Sequence, residues 1–135
     1  MYLVHHPEGQ EEPTRYKYLP RKLRAVDREE LERRSGMNFA EFTQAVVQGN
    51  ALCRRALLFM FQRRDHPSLR FDDVDFAWDE LKLEYSRGEL AKMREGIEQS
   101  VPAAQRAAVL AALDEQIATA YNEVDEGKAS LPIAD

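Results

Sequence analysis

The densest set of groups able to do acid–base or metal chemistry is a run of carboxylates, Asp72, Asp73, Asp75, Asp79 and Glu80. A calcium loop of the EF-hand kind needs glycine at its sixth position and a bidentate glutamate at its twelfth, and Phe71 to Lys82 offers neither. The acids alternate with Phe71, Val74, Phe76 and Trp78, a pattern of helix capping and solvated charge between buried aromatics. His5 and His6 are neighbours whose side chains diverge, and the other histidine is the distant His66, so no metal is expected. Cys53 and His66 have the types of nucleophile and base, but an apolar helix raises the pKa of a thiol and quiets it. GxxxxGK[ST], GxGxxG and GxSxG are missing, as are paired cysteines, so neither an enzyme nor a cofactor is expected.

Charge gives a different signal. The net charge is −5, which argues against a chain whose main work is to neutralise phosphates. Yet residues 15–34 hold eight Lys or Arg against four acids, while residues 65–99 hold ten acids against five bases. Ends of opposite sign can steer copies head to tail, or one copy onto a charged partner. Helix, short turn with Gly49 and helix also suggest a helix-turn-helix. Only Arg54 and Arg55 stand where a recognition helix reads bases, so nucleic acid is a minor alternative.

The elements that must position these groups are organised around Ala51 to Arg64. Leu57, Leu58, Phe59, Met60 and Phe61 run consecutively and sweep round the whole axis of a helix, so no face of it can stay in water. Covering them contributes on the order of 10 kcal/mol as an upper estimate. Such excess is expected to leave the borders of a small bundle unoccupied and to call for a companion chain.

With 135 residues and 44% hydrophobic content, one domain with a modest core is expected. Residues 1–13 lack any period and read as a flexible lead-in. Arg15 to Leu19 alternates polar and aromatic residues before Pro20, which suits an extended arm carrying Tyr16 and Tyr18. Asp27 with Glu30 resembles a capping box, and Gly36 ends that helix. Asn38 with Glu41 opens a second helix that Gly49 ends, and Asn50 caps the central one. Residues 72–85 are ambiguous between helix and strand. Ser86 with Glu89 starts a helix to about Gln99, and Pro102 opens a longer one toward residue 125. The fold class is therefore mainly α: a helical core over 14–86, a helical hairpin over 87–127 and a tail over 128–135. Cys53 alone forms no intrachain disulfide, and no leader or spanning segment stands out, so a cytoplasmic protein away from membranes is expected.

The order of parts resembles the tail assembly chaperones of long-tailed phages and prophages. The likeness covers about residues 15 to 85: an aromatic arm, a charged helix ending LERRSGMNF, a helix closed by Gly49, the central LCRRALLFMFQRR, then HP and RFDDVDF with Trp78 after it. It implies a protein of the bacterial host cytoplasm that coats the tape measure protein, keeps it soluble and helps the tail tube protein polymerise around it. It also implies self-association. The residues expected to meet a partner or a second copy are Tyr16, Tyr18, Arg54, Arg55, Phe71, Phe76 and Trp78. A DNA-binding regulator and a virion connector subunit are the alternatives.

Overall fold

The computed structural model describes residues 1–121, and the expected tail over 128–135 lies outside them. These residues are mainly helical, with five α-helices and a three-stranded sheet among them. They divide into two compact units, one over Tyr2–Leu83 and one running from Glu84 onward that also takes in Met1.

The first unit begins with a correction. The expected flexible lead-in contains strand β1, Tyr2–His5, which pairs antiparallel with β2, Thr14–Lys17, placing Leu3 opposite Tyr16. Leu3 is fully buried, and its burial contributes to holding a segment whose composition alone gives no reason for order. The arm over residues 15–20 is thus one strand of a sheet.

Helix α1, Ala25–Ser35, starts two residues before the expected capping box and has no side-chain cap. Asp27 instead lies in the first turn, where the helix dipole favours an acid, and Glu30 faces Arg63 and Arg34. Only Leu31 is buried, as its charged neighbours require. Gly36 ends the helix at φ 71°, a left-handed conformation that glycine adopts without a side-chain clash. Glu32 then accepts from the Phe39 N–H at 2.9 Å, satisfying a free donor at the start of α2, Phe39–Gln48. Asn38 and Asn50 cap α2 and α3, Ala51–Asp65, each through a side-chain oxygen that accepts a backbone N–H three residues on.

The apolar girdle of α3 is closed by its own chain. Leu57, Leu58, Phe59, Met60 and Phe61 are all buried. Tyr16 of β2 stacks on Phe61 at 5.1 Å between ring centroids, Tyr18 meets the same ring edge-on at 6.5 Å, and Phe71 meets Phe59 edge-on at 5.6 Å. Arg34 and Arg63 place guanidinium groups over Phe59 at 4.6 and 5.1 Å. The expectation that a companion chain must cover this helix is overturned, because the extended arm carrying Tyr16 and Tyr18 is itself part of the cover.

The ambiguous stretch resolves into single 3₁₀ turns at Phe71–Asp73 and Trp78–Glu80, followed by strand β3, Leu81–Glu84. The sheet order is β2-β1-β3, so the lead-in strand is its centre.

In the second unit Ser86 and Glu89 form the expected capping box at the start of α4, Arg87–Ser100. Helix α5, Ala103–Thr119, packs on α4 with Arg94 paired to Asp114 at 2.8 Å. It ends short of the expected residue 125, with Ala120 extended. The chain just past this end is held by a distant partner: the Arg87 N–H, an orphan donor in the first turn of α4, takes the Tyr121 carbonyl at 2.9 Å. The remainder of the expected helix, residues 122–125, lies outside the described residues.

Candidate functional site

The structure separates the residues singled out from sequence into a buried set and an exposed one. Tyr18 is fully buried and its hydroxyl lies 3.3 Å from that of Thr43. Burial, which penalises the phenolate, raises its pKa. Tyr16 is half-buried against Phe61. Neither tyrosine sits on a free arm, so their assignment to a partner-binding arm is withdrawn.

Arg54 and Arg55 serve the fold in the same way. Arg54 is 8% exposed, and its Nε donates to the Val46 carbonyl at 2.8 Å, in the last turn of α2, where that carbonyl also accepts from the Gly49 N–H at 3.2 Å. Arg55 donates from Nε to the Val74 carbonyl at 2.6 Å and from Nη2 to the Phe71 carbonyl at 2.9 Å, and lies 4.2 Å from the Phe71 ring centroid. Its planar fork thereby fastens the Phe71–Asp73 turn to α3. A recognition helix presents such side chains to solvent, whereas both of these are committed to backbone carbonyls of their own chain.

The carboxylates also have structural partners. Asp73 accepts from the Arg70 N–H at 3.1 Å, and Glu80 accepts from the Ala77 N–H at 2.6 Å and from the Glu8 N–H at 2.8 Å. These backbone bonds hold both acids below their usual pKa. Val4, His6, Pro13, Asp79, Glu80 and Lys82 line a cleft of about 270 Å³, but Glu80 is committed to the backbone and His6 Nε2 donates to the Gln10 carbonyl at 2.7 Å. Among the described residues no group of three His, Cys, Asp or Glu side chains is placed to hold a metal ion. Cys53 is buried with a raised pKa, and His66 lies thirteen positions further along α3 and its cap, about 20 Å at the helical rise. That distance excludes direct proton transfer between them.

The exposed set centres on Trp78. It remains 69% exposed although it is the largest apolar side chain in the protein, and its ring lies against the α2–α3 turn. Its Cη2 atom comes within 2.6 Å of where a β-carbon on Gly49 would stand, and Arg54 places its guanidinium carbon 5.2 Å from the ring centroid. Gly49 has φ 92°, so glycine serves both the turn and the close approach of the indole. On either side of Gly49 in the sequence, Val47 and Leu52 are exposed as well. Asp72, Asp75 and Asp79 are exposed around Trp78 in the chain. Phe71 and Phe76 are only half-exposed, and Phe71 is engaged by Phe59, Arg34 and Arg55. Sequence reasoning named Trp78 but missed its seat on Gly49, as well as the exposed Val47 and Leu52.

No helix of the described residues is long and apolar enough to cross a membrane. Compared with protein-family models, with curated proteins and with solved structures, the chain matches none of them.

Proposed function

We propose that the chain is a polypeptide-binding assembly factor of the tail assembly chaperone type. It holds the tape measure protein in soluble form while the tail tube protein polymerises around it. The observation that carries this reading is Trp78, an indole 69% exposed yet fixed in place by the Gly49 backbone and the Arg54 guanidinium. A rigid aromatic with one free face loses little conformational freedom on binding and is the kind of anchor that dominates protein interfaces. The order of parts from Arg15 to Trp78 supplies the type of client. The closed girdle of α3 lends no support, and recognition rests on the surface around Trp78.

The test is co-expression with a tape measure protein of a long-tailed phage, the very long helical client that this reading names. The expected result is that the long protein moves into the soluble fraction and co-purifies, and that Trp78→Ala lowers its recovery roughly tenfold or more. Equal solubility with and without this chain overturns the proposal. Retention of the chain in finished particles would instead identify a virion component.

A further inference from the structure

Three guanidinium groups of the first unit meet over one pair of aromatic rings. Asp27, Glu30 and Arg34 fall on one stripe of α1, and Arg55, Phe59 and Arg63 on one stripe of α3. The guanidinium of Arg34 stands over two rings that meet edge-on, 4.6 Å from the centroid of Phe59 and 4.7 Å from that of Phe71. Arg63 lies over Phe59 at 5.1 Å and Arg55 over Phe71 at 4.2 Å. Two of the three share one carboxylate: the oxygens of Glu30 accept from Arg34 Nε at 3.3 Å and from Arg63 Nη2 at 2.5 Å. Arg34 Nη1 and Nη2, Arg63 Nε and Nη1, and Arg55 Nη1 donate to no acceptor among the described residues. The three side chains are 30% to 38% exposed, so solvent and a partner can reach those donors.

The charges gathered there do not balance. Arg34, Arg55 and Arg63 face Glu30 and Asp72, the latter 3.9 Å from Arg55 with its own side chain almost wholly in solvent. Asp27 is matched by Arg64 at 3.7 Å and Asp73 by Arg70 at 3.5 Å. Arg28, Glu29, Glu32 and Arg33 stand on the other faces of α1 and cancel one another, while Asp65 lies near Tyr16 on the far side of α3. One positive charge is left over, on donors already ordered by the rings and by Glu30.

We infer that this cluster binds a carboxylate of an acidic polypeptide, the Nη1 and Nη2 edge of Arg34 taking both of its oxygens. Two parallel N–H donors match a carboxylate in spacing and plane, and a guanidinium held on aromatic rings loses little freedom on binding. Glu30 shows that these guanidinium groups take a carboxylate as acceptor. The contact is separate from Trp78, whose cation is Arg54, so the inference goes beyond the client reading and does not depend on it.

The experiment is a titration of the purified full chain with acetylated, amidated hexaglutamate, followed by NMR through the arginine Nε–H signals, with hexaserine and inorganic phosphate as parallel probes. Hexaglutamate is expected to shift the signals of Arg34, Arg55 and Arg63, and hexaserine to leave them in place. Arg34→Lys keeps the charge but not the fork and should weaken binding roughly tenfold. Arg21→Gln removes an exposed cation ahead of α1 and should change binding by less than about twofold. Glu30→Gln releases the donors that Glu30 occupies and should tighten binding several-fold. Circular dichroism on each variant checks that it is folded. An equal response to both peptides overturns the inference, as does an Arg34→Lys variant that binds like wild type or an Arg21→Gln variant that loses as much. Phosphate that competes at the same concentration as hexaglutamate also overturns it, by showing a site for oxyanions in general. Any of these leaves the client test untouched, since that test reads recovery of a different protein.

Discussion

The ring of Trp78 occupies the space that a β-carbon on Gly49 would need, since such an atom would stand 2.6 Å from Cη2. Twenty-nine positions apart in sequence, the two residues form one feature, in which the turn between α2 and α3 is the floor on which the indole rests.

Gly49→Ala therefore acts twice, by forcing a side chain into a left-handed backbone and by pushing the indole off its seat. Gly36→Ala is the control, because it has φ 71° but nothing within 4 Å of the added atom. The control is expected to lose about 1–2 kcal/mol from backbone strain alone. Gly49→Ala should lose more and also change the emission of Trp78, the protein's one tryptophan. Equal losses with unchanged emission would contradict the seat.

Leu3→Ala tests the strand that replaced the expected lead-in. Leu3 is fully buried in the central strand of the sheet, so truncation is expected to cost about 2–5 kcal/mol in denaturant unfolding. Deleting residues 1–6 removes β1 and should destabilise the first unit more than any single truncation, where a flexible lead-in would leave it unchanged.

Arg54→Met removes one of two donors to the Val46 carbonyl, which keeps the Gly49 N–H, and is expected to cost roughly 0.5–1.5 kcal/mol. Arg55→Lys, although conservative in charge, should also lower the melting temperature, because an ammonium does not reproduce the two-nitrogen fork to Phe71 and Val74. Loss of duplex DNA binding at unchanged stability in either variant would restore the recognition-helix reading.

Stability should fall on acidification in two windows. Burial lowers the pKa of His5, against the pull of Glu80, so the unfolded chain takes up a proton first and stability declines as pH drops below about 6.5 toward the folded value. Glu30 is raised by burial, but the bonds and charges of Arg63, then Arg34, overcome that and hold it below 4.5. Its contribution is complete above 4.5 and is lost as pH falls through the depressed value. Thermal melts across pH read both windows: His5→Gln should flatten the upper one and Glu30→Gln the lower.

Much of the helical layout is legible in the sequence because it is set by contacts three or four residues long. Asn38, Asn50 and Ser86 cap helices through oxygens that reach the third residue on, and Gly36 and Gly49 end them by a conformation that other residues resist. The burial of Leu57 to Phe61 is equally local, since five consecutive large apolar residues leave a helix no wet face. Asp27 and Glu30 show the limit. Their spacing fits a capping box, yet Arg63 and Arg64, more than thirty positions away, draw both carboxylates into ion pairs.

What closes over α3 was a tertiary decision. A four-residue strand such as Tyr2–His5 is unstable alone and exists because Thr14–Lys17 and β3 lie on either side of it. Once that sheet forms, Tyr16 and Tyr18 turn inward onto Phe61, and the arm ceases to be a surface. The one large aromatic left outside, Trp78, is outside because the turn at Gly49 offers it a shelf and not a pocket. Residue types and spacing determined the helices and their caps; which aromatics were spent on the core and which stayed exposed depended on pairings too distant in the chain for spacing to encode.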